Sequence, residues 1–411
     1  MTKIEIMAPA GSYETLHAAI KAGADSVYFG IGKLNMRSAS SVNFTMQDLK
    51  EIVSICKKAK VKTYLTLNTV MYNEDIEEIK SVLDSAKKEG INAVITCDFA
   101  VINYANKIKL PVHISTQANV SNIEAVRFFS KFAETIVLAR ELSLEQITNI
   151  CNQIKKENIK GPNKKPVEIE VFIHGALCVS ISGKCYMSLA LYNKSANRGE
   201  CLQVCRRGYK VTDDETGNEL RIKNKYVMSP SDLCTIGFLD KIIGAGVKVL
   251  KIEGRGRKAD YVYHTVKAYK EAVESIDKKT YTKEKISNWI KELESVYNRG
   301  FWHGGYYMGK KINEWTNHSG SKATLQKIQI GKALNYYIKP KIGLFQIESG
   351  ELKVGNNIMI TGPTTGIIEA EVTGIQIEDN NKKTAKKGDR VTIPLSQKIR
   401  ENDKLFLVVK Q

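Results

Sequence analysis

The stretch of sequence that decides the fold is KIEIMAPAGSYETLHAAIKAGADSVYFGIG, residues 3–32. It contains an apolar strand pattern, KIEIMAPAG, then an amphipathic helical pattern, SYETLHAAIKAG, and then a second apolar strand pattern, ADSVYFGIG. Apolar runs on both sides of a helical pattern are typical of a strand–helix–strand unit, in which the two strands lie parallel. The beginning of the chain therefore predicts a parallel sheet covered by helices.

The same alternation continues along the chain. Six strand–helix pairs follow one another up to the helical pattern SLEQITNICNQIKK, and two more strands are predicted from VEIEVFIHG at 167–175 and VKVLKIEG at 247–254. Eight such strands favour a closed barrel of the (β/α)8 type, so we predict an α/β, TIM-like fold. A doubly wound open sheet is the alternative. Its dinucleotide-binding form is disfavoured because no GxGxxG follows the first strand.

The pattern divides the chain into three parts. We assign residues 1–260 to the barrel, with a cysteine-rich insertion at 174–234, and residues 261–324 to a helical extension and linker. Short alternating strands with turn residues then predict a small all-β barrel at 325–411. Within it, LKVGNNIMITGP resembles the β-barrel domain of translation elongation factors, and that resemblance implies a module that faces RNA.

The chain is strongly basic. Its 411 residues include 62 Lys and Arg against 44 Asp and Glu, which gives a formal net charge of +18. Such a charge attracts phosphate polymers and small anions, although a lysine-rich surface without a bound partner has the same composition. The sequence shows neither a signal-peptide pattern nor an apolar run that would span a membrane, so we expect a soluble, cytoplasmic protein.

The fold class predicts where the chemistry lies, because active sites of such barrels are at the C-terminal ends of the strands. Polar side chains follow the predicted strands at those ends, and they are Arg37, Asn43, Asn68, Ser115, Gln117, Asn119, Arg140, Glu141, His174, Glu253, Arg255 and Arg257. Of these, Arg37, Gln117 and Asn119 are candidates for contacts with a substrate.

The segment KIEGRGRK, residues 251–258, is the best candidate for an anion site. Lys251, Arg255 and Arg257 are charged groups that could clamp a carboxylate or phosphate, and the glycines between the arginines let a ligand approach the backbone. A solvated charged turn is the alternative. We favour the anion site because this segment follows the eighth strand at the expected mouth of the barrel.

Four cysteines, at 178, 185, 201 and 205, have the spacing C-x6-C-x15-C-x3-C. In a reducing compartment such a group is more typical of a metal or catalytic site than of disulfides. Only the second pair has the short spacing that zinc sites prefer, and four thiolates on irregular loops suit an iron–sulfur cluster equally well. The spacing leaves both alternatives open, and Cys234 is a possible fifth ligand.

The segment EVFIHGALCVSISGKCYMS, residues 170–188, resembles the signature of the collagenase-like peptidase U32 family. NRGECLQVCR, SPSDLC, KIEGRGR and the opening APAGSYETLHAAIKAGADSVYFG are also similar to that family, so the likeness extends over nearly the whole chain. Characterised bacterial members are mostly oxygen-independent hydroxylases with a 4Fe-4S cluster. The resemblance implies cluster ligands at Cys178, Cys185, Cys201 and Cys205 and leaves out Cys234.

A barrel followed by a short all-β domain is similar to the branch of this family that acts on tRNA. That similarity implies hydroxylation of the wobble uridine to 5-hydroxyuridine, with prephenate as hydroxyl donor. The implied partners are tRNA, contacted in the anticodon region, and a small anionic co-substrate. The basic charge agrees, because a tRNA contact requires neutralisation of phosphates. Hydroxylation of another RNA or of a quinone precursor is an alternative.

A peptidase or collagenase is the rival function. It requires an activated nucleophile or a metal-bound water, and the sequence contains neither HExxH nor GxSxG. For a hydroxylase, the candidates for a general base are Glu253, then His174, then Glu141. An imidazole satisfied by a neighbouring carbonyl is the alternative role of His174.

The linker after the second helix of the extension is aromatic. Phe301, Trp302, Tyr306 and Tyr307 are candidates for stacking on unpaired bases, as in proteins that bind single-stranded RNA. Packing between domains is the alternative, and it is the commoner role of aromatic residues in such a place.

Overall fold

The computed structural model describes residues 4–36, 38–39, 43–181, 183–219, 226, 228–302, 307 and 315–411. The strands of the first part of the chain are β1 (Glu5–Pro9), β2 (Ser26–Gly30), β3 (Lys62–Thr66), β4 (Ala93–Thr96), β5 (Val112–Ile114), β6 (Thr135–Val137), β7 (Glu168–Gly175), β8 (Asp232–Cys234), β9 (Val249–Ile252) and β10 (Phe301–Trp302). Eight of them, β1 to β7 and β9, form a closed parallel barrel. The predicted TIM-like fold is confirmed.

Helices cover the outside of the barrel. They are α1 (Tyr13–Lys21), α2 (Leu49–Lys58), α3 (Ile76–Glu89), α4 (Phe99–Lys107), α5 (Ile123–Phe129), α6 (Leu144–Glu157), α7 (Met187–Tyr192), α8 (Leu239–Gly244), α9 (Ala259–Asp277) and α10 (Lys283–Ser295). Local sequence sets their ends. Ser143, for example, begins α6 with a capping box because its hydroxyl accepts from the Gln146 N–H and the Gln146 side chain accepts from the Ser143 N–H.

Two short strands, which the sequence pattern did not predict, extend the barrel wall. β8 pairs antiparallel with the end of β7, where His174 faces Cys234 in the register, and β10 pairs parallel with β8. The linker aromatics take part in this packing. Trp302 of β10 is 1% exposed, and the Tyr307 hydroxyl donates to the Phe172 carbonyl at 2.6 Å. Of the four aromatic candidates, Tyr306 lies outside the described residues, and Trp302 and Tyr307 serve packing.

The C-terminal domain is all-β, as predicted. Its strands are β11 (Leu325–Tyr337), β12 (Ile342–Ile347), β13 (Glu351–Lys353), β14 (Asn357–Gly362), β15 (Gly366–Glu371), β16 (Ile375–Ile377), β17 (Asn380–Lys382), β18 (Thr384–Lys386), β19 (Arg390–Pro394) and β20 (Lys404–Lys410). Eight of them form an antiparallel sheet in the order β15–β14–β20–β11–β12–β19–β16–β17, and β13 pairs with β18. Fully buried side chains such as Phe345, Ile360 and Leu405 fill a core that is separate from that of the (β/α)8 barrel.

The two domains meet where α1 and α9 approach β15. At Gly366, which has a φ of +66°, a Cβ would lie 2.9 Å from the backbone nitrogen of Ala18, so only glycine allows this close approach. His264 of α9 contacts Glu292 of α10 at 3.1 Å and Glu369 of β15 at 3.0 Å. The contact between domains is therefore ionic as well as apolar.

Candidate functional site

A cavity opens at the C-terminal ends of the barrel strands. Its inner wall, which we call the floor, consists of side chains from the strands and from the residues just after them, including Tyr28, Phe172, Lys251, Glu253 and Arg255. Its outer wall consists of residues of the cysteine segment 178–181 and 183–207. We call this segment, together with the loop 70–75 that Arg198 ties to it, the rim. The cavity thus lies where barrels of this type carry their chemistry.

The floor holds a buried group of charges. The Lys251 ammonium donates to Glu170 at 2.7 Å, and the side chains are 5% and 0% exposed. On its other side the Glu170 carboxylate lies 3.7 Å from Nδ1 of His113. Burial works to raise the pKa of Glu170, but Lys251 and then His113 outweigh it and keep that pKa below its ordinary value. Glu170 is therefore ionised, and it holds Lys251 with its ammonium over the Tyr28 ring, 4.6 Å from the ring centre.

Arg255 is the second cation of the floor and is 6% exposed. Its Nη1 donates to Asn35 at 2.8 Å and to Thr66 of β3 at 2.9 Å. The guanidinium is thereby fixed in place, and a fixed guanidinium matches the planar geometry of a carboxylate or phosphate.

Positive charge prevails around the cavity as a whole. Among the described residues its lining contains four cationic side chains and one carboxylate, which are Arg140, Arg206, Lys251, Arg255 and Glu253. The Arg140 guanidinium lies over the Phe172 ring, 4.2 Å from the ring centre, so its charge packs against an apolar side chain. An anionic ligand is the class of molecule that this lining attracts.

All four cysteines of the predicted cluster line the same cavity, on the rim side. Burial raises the pKa of the Cys205 thiol; the neighbouring Arg206 guanidinium opposes that shift, and Cys178, Cys201 and Cys185 add to it. The four sulfur groups are therefore close enough to interact electrostatically. The fold collects residues that are far apart in the cysteine segment into one place.

The arrangement of these thiols bears on the metal that they would hold. Among the described residues, no three His, Cys, Asp or Glu side chains converge closely enough to hold a single metal ion. A 4Fe-4S cluster takes one cysteine per iron, so its ligands surround a group of atoms and need not converge on one point. Four thiols around one cavity provide one cysteine for each iron of such a cluster.

A few polar contacts hold the rim in place over the barrel. Arg198 contacts the 2%-exposed Asp75 at 2.5 Å, and the Cys185 N–H donates to the Asn197 side chain at 3.1 Å. At Gly199, with a φ of +88°, a Cβ would lie 2.4 Å from the Asn35 carbonyl oxygen, so the segment passes the barrel loop at a distance that only glycine allows. The rim therefore depends on individual tie points rather than on a continuous sheet.

The structure brings together most of the predicted site residues. Those that line the cavity are Gln117, Cys178, Cys185, Cys201, Cys205, Lys251, Glu253 and Arg255. Gln117 accepts from Asn68 at 3.2 Å and from the hydroxyl of Ser115, so it is held by two neighbours at the strand ends. Arg37 lies outside the described residues.

Four other candidates lie apart from this cavity. Asn119 ends a short 3-10 helix in the left-handed conformation, with a φ of +53°, and Glu141 is exposed. Arg257 stacks on Tyr297, 3.6 Å from the ring centre. His174 is 1% exposed and sits among aromatic rings behind β8, where its Nδ1 lies 3.4 Å from the Tyr269 hydroxyl. The structure thus places His174 outside the main cavity.

Sequence reasoning missed the buried partners of the floor. Glu170 and His113 are charged or titratable residues inside strand patterns, and such residues are seldom fully buried unless they are paired. In β7, Glu168 and Glu170 are two residues apart and so lie on the same face of the strand, yet Glu168 at its start is exposed and Glu170 is buried. Alternation therefore did not reveal the buried acid. Arg206, which donates to the Pro230 carbonyl at 2.8 Å and to Ser229, carried no signal either because it lies in an irregular loop.

Some of the known proteins similar to this chain are named as peptidases or collagenases, and others are named as RNA-hydroxylating proteins. Peptidase family U32 matches residues 11–317. A collagenase of Porphyromonas gingivalis is 54% identical over 402 residues, which are 98% of this chain and 97% of that protein. The tRNA hydroxylation protein P1 of Bacillus subtilis is 30% identical over 389 residues, 92% of this chain and 88% of that protein.

A 23S rRNA 5-hydroxycytidine synthase of Escherichia coli is 33% identical over 278 residues, 67% of this chain and 40% of that protein. The chain belongs to peptidase family U32, which confirms the resemblance seen in the sequence. No helix within the described ranges has the length and apolar character needed to cross a membrane.

Proposed function

We propose that this protein is a tRNA hydroxylase that converts the wobble uridine to 5-hydroxyuridine, with a 4Fe-4S cluster and with prephenate as hydroxyl donor. Such an enzyme would work in the cytoplasm, where its tRNA is. The observation that carries the proposal is the meeting of four cysteines and a cationic floor in one cavity. Relatives named as tRNA and rRNA hydroxylating proteins support it.

The residues of the cavity divide into two roles. Cys178, Cys185, Cys201 and Cys205 would hold the cluster, which supplies redox chemistry when bound. Arg255 and Lys251 would bind the carboxylates of the donor, since both are buried cations that line the cavity. Charge-assisted hydrogen bonds to such groups are short and directional, so they would orient the donor as well as attract it.

Glu253 is our candidate for the proton-transfer residue. Glu253 lies between Lys251 and Arg255 in the sequence, and all three residues line the cavity. It is half-buried, and its carboxylate lies 3.4 Å from the Tyr28 hydroxyl. A carboxylate in such a place can accept the proton that leaves C5 of the base when oxygen replaces it. His174 is a weaker candidate than the sequence suggested, because it is buried behind β8.

A collagenase-type peptidase is the second candidate function, and the 54% identity to a protein named collagenase favours it. Peptide hydrolysis needs a nucleophile and a base within hydrogen-bond reach of each other. No histidine is among the described residues that line the main cavity, and its thiols lie beside guanidinium groups such as Arg206. This lining suits the capture of an anion better than it suits a cysteine–histidine pair.

The test is the modified-nucleoside content of tRNA from cells that lack this protein and any redundant oxygenase route. We expect the wild-type gene to restore 5-hydroxyuridine derivatives, and Cys201→Ala or Cys205→Ala to abolish the restoration. Cys234→Ala is the matched control, because Cys234 is fully buried in β8 and is not part of the cavity lining. Purified protein and its Cys201→Ala variant are assayed on gelatin in parallel.

Two results would contradict the proposal. One is unchanged 5-hydroxyuridine in both cysteine variants. The other is gelatin hydrolysis that survives the loss of Cys201, which would favour the peptidase. For the donor site, Arg255→Lys keeps the charge but loses the planar fork, and we expect a rise in KM for prephenate with expression unchanged.

A further inference from the structure

The rim carries an unusual share of exposed apolar side chains. Of the fifteen large hydrophobic residues that are exposed within the described ranges, eight lie on the rim: Val70, Tyr72, Ile181, Tyr186, Leu189, Leu191, Tyr192 and Leu202. Tyr186 is 68% exposed and Leu191 is 58% exposed. Single exposed apolar residues are ordinary, but a concentration beside a cavity marks a surface that binds something.

We propose that the rim is a docking surface for single-stranded RNA, in which exposed tyrosines stack on the nucleotides next to the one that enters the cavity. The inference rests on the proposed function and assigns the contact to particular residues of the rim. A base must leave its neighbours before its C5 can reach the cavity, and a stacking surface at the entrance compensates for the stacking that the RNA loses.

The two segments of the rim form one surface. The Val70 N–H donates to the Asn197 carbonyl at 3.0 Å, and Arg198 donates to the Val70 carbonyl at 2.7 Å. Asn197 also accepts from the Cys185 N–H at 3.1 Å, and both of these residues line the cavity. RNA bound on this surface would therefore lie directly beside the cavity entrance.

The chemistry of the rim favours RNA over an apolar protein partner. Arginine guanidinium groups lie over two of its tyrosine rings, Arg198 over Tyr72 at 4.2 Å and Arg207 over Tyr192 at 5.2 Å. The rim contains five Lys and Arg, at 184, 194, 198, 206 and 207, against three acids, Glu74, Asp75 and Glu200. Aromatic faces stack on any base and neighbouring cations contact phosphates, which is the combination that binds single strands.

The experiment measures binding of a fluorescent anticodon stem–loop RNA to the full chain by anisotropy, in the absence of prephenate. We expect Tyr186→Ala and Tyr192→Ala each to raise Kd by roughly fivefold to 100-fold, the usual loss for one stacked base. Phe128→Ala is the matched control, because Phe128 on α5 is 45% exposed, as Tyr192 is, and lies outside the rim. Its Kd should stay at the wild-type value.

The salt dependence gives a second readout. Arg207→Gln should reduce the slope of log K against log salt by about one, because one phosphate contact is lost. Wild-type affinity in both tyrosine variants would overturn the inference, as would an equal loss in Phe128→Ala. A self-association of the chain that Tyr186→Ala abolishes, with RNA affinity unchanged, would also overturn it and assign the rim to a protein contact.

These results are separable from those on the proposed function. If the rim variants lose RNA affinity but the tRNA of complemented cells gains no 5-hydroxyuridine, the docking surface stands and the proposed reaction fails. If 5-hydroxyuridine is formed and both tyrosine variants bind RNA normally, the reaction stands and the docking surface is wrong.

Discussion

The floor and the rim of the cavity are built in opposite ways. Floor side chains such as Lys251 and Glu170 project from paired strands, are almost fully buried and meet at 2.7 Å. The rim consists of loops, short helices and a few tie points, and it exposes rings such as Tyr186. The comparison indicates two roles: the barrel holds charged side chains in fixed positions, and the loops above it carry the exposed groups that can bind a large partner.

Stability should depend on the two regions unequally. A buried charge that loses its partner keeps its full desolvation cost, whereas an exposed ring that is removed leaves little behind. Substitutions in the floor should therefore change the free energy of unfolding strongly, and substitutions on the rim surface should change binding with little effect on folding. The following predictions test this contrast, from the largest expected effect to the smallest.

The largest effect is expected for Glu170→Gln. It leaves the Lys251 ammonium buried without its carboxylate, and the expected loss of unfolding free energy is about 3–5 kcal/mol. Denaturant unfolding followed by circular dichroism measures it. Glu168→Gln is the matched control on the same strand, since Glu168 is exposed and Glu170 is not. A loss below about 1 kcal/mol for Glu170→Gln would show that the ion pair does not organise the floor.

Arg198→Ala tests the main tie point of the rim. Asp75 is 2% exposed and would lose its guanidinium partner, so we expect a loss of about 2–3 kcal/mol, since the partner is itself partly exposed. Lys194→Ala, which breaks the exposed pair with Glu200, should cost less than about 1 kcal/mol. Hydrogen exchange should rise in the cysteine segment of Arg198→Ala alone. Equal exchange in both variants would mean that the rim is held by other contacts.

The pH dependence of stability provides a third test, at an ionic contact outside the cavity. Burial lowers the pKa of His264, but Glu292 and Glu369 outweigh it and raise that pKa from 6.5 to about 9. Because the folded pKa is raised, the stabilisation is complete below pH 6.5 and is lost as the pH rises towards 9. We expect the wild type to lose roughly 1–3 kcal/mol more than His264→Gln between pH 6 and pH 9.5.

The measurement is urea unfolding of both proteins across that range. The buried cysteines also destabilise the folded state at high pH, but they are present in both proteins and cancel in the difference. A constant difference between wild type and His264→Gln would show that the contact between domains does not depend on the imidazolium charge.

The smallest effect on stability is expected on the rim surface. Tyr186→Ala removes a ring that is 68% exposed, and the unfolding free energy should stay within about 0.5 kcal/mol of the wild type. Thermal unfolding monitored by fluorescence or calorimetry measures it. A loss similar to that of Glu170→Gln would remove the distinction between floor and rim.

The sequence was sufficient for the barrel and for the place of the site, because strand–helix alternation determines both the topology and the strand ends. Residues that directly follow a strand, such as Arg255 and Gln117, were therefore placed correctly in the cavity. His174 was predicted at the end of the seventh strand, and β7 does end there. The pattern did not show that β8 returns antiparallel to β7 at this point and pairs Cys234 with His174, because β8 is only three residues long.

The sequence pattern could not identify the buried partners that hold the floor residues in place. Glu170 meets Lys251 across a separation of 81 residues, and periodicity within one strand says nothing about which side chain faces it from another. The cysteine ligand set was inferred from resemblance rather than spacing. The structure adds that the four thiols share one cavity with the cationic floor.

The measurement that tests the central claim most directly is the iron and sulfide content of protein purified without oxygen. Four cysteines at one cavity predict about four irons and four sulfides per chain, with the visible absorption of an iron–sulfur cluster, and loss of both in Cys201→Ala but not in Cys234→Ala. Colourless protein with a single zinc ion per chain, or iron content unchanged in Cys201→Ala, would contradict it.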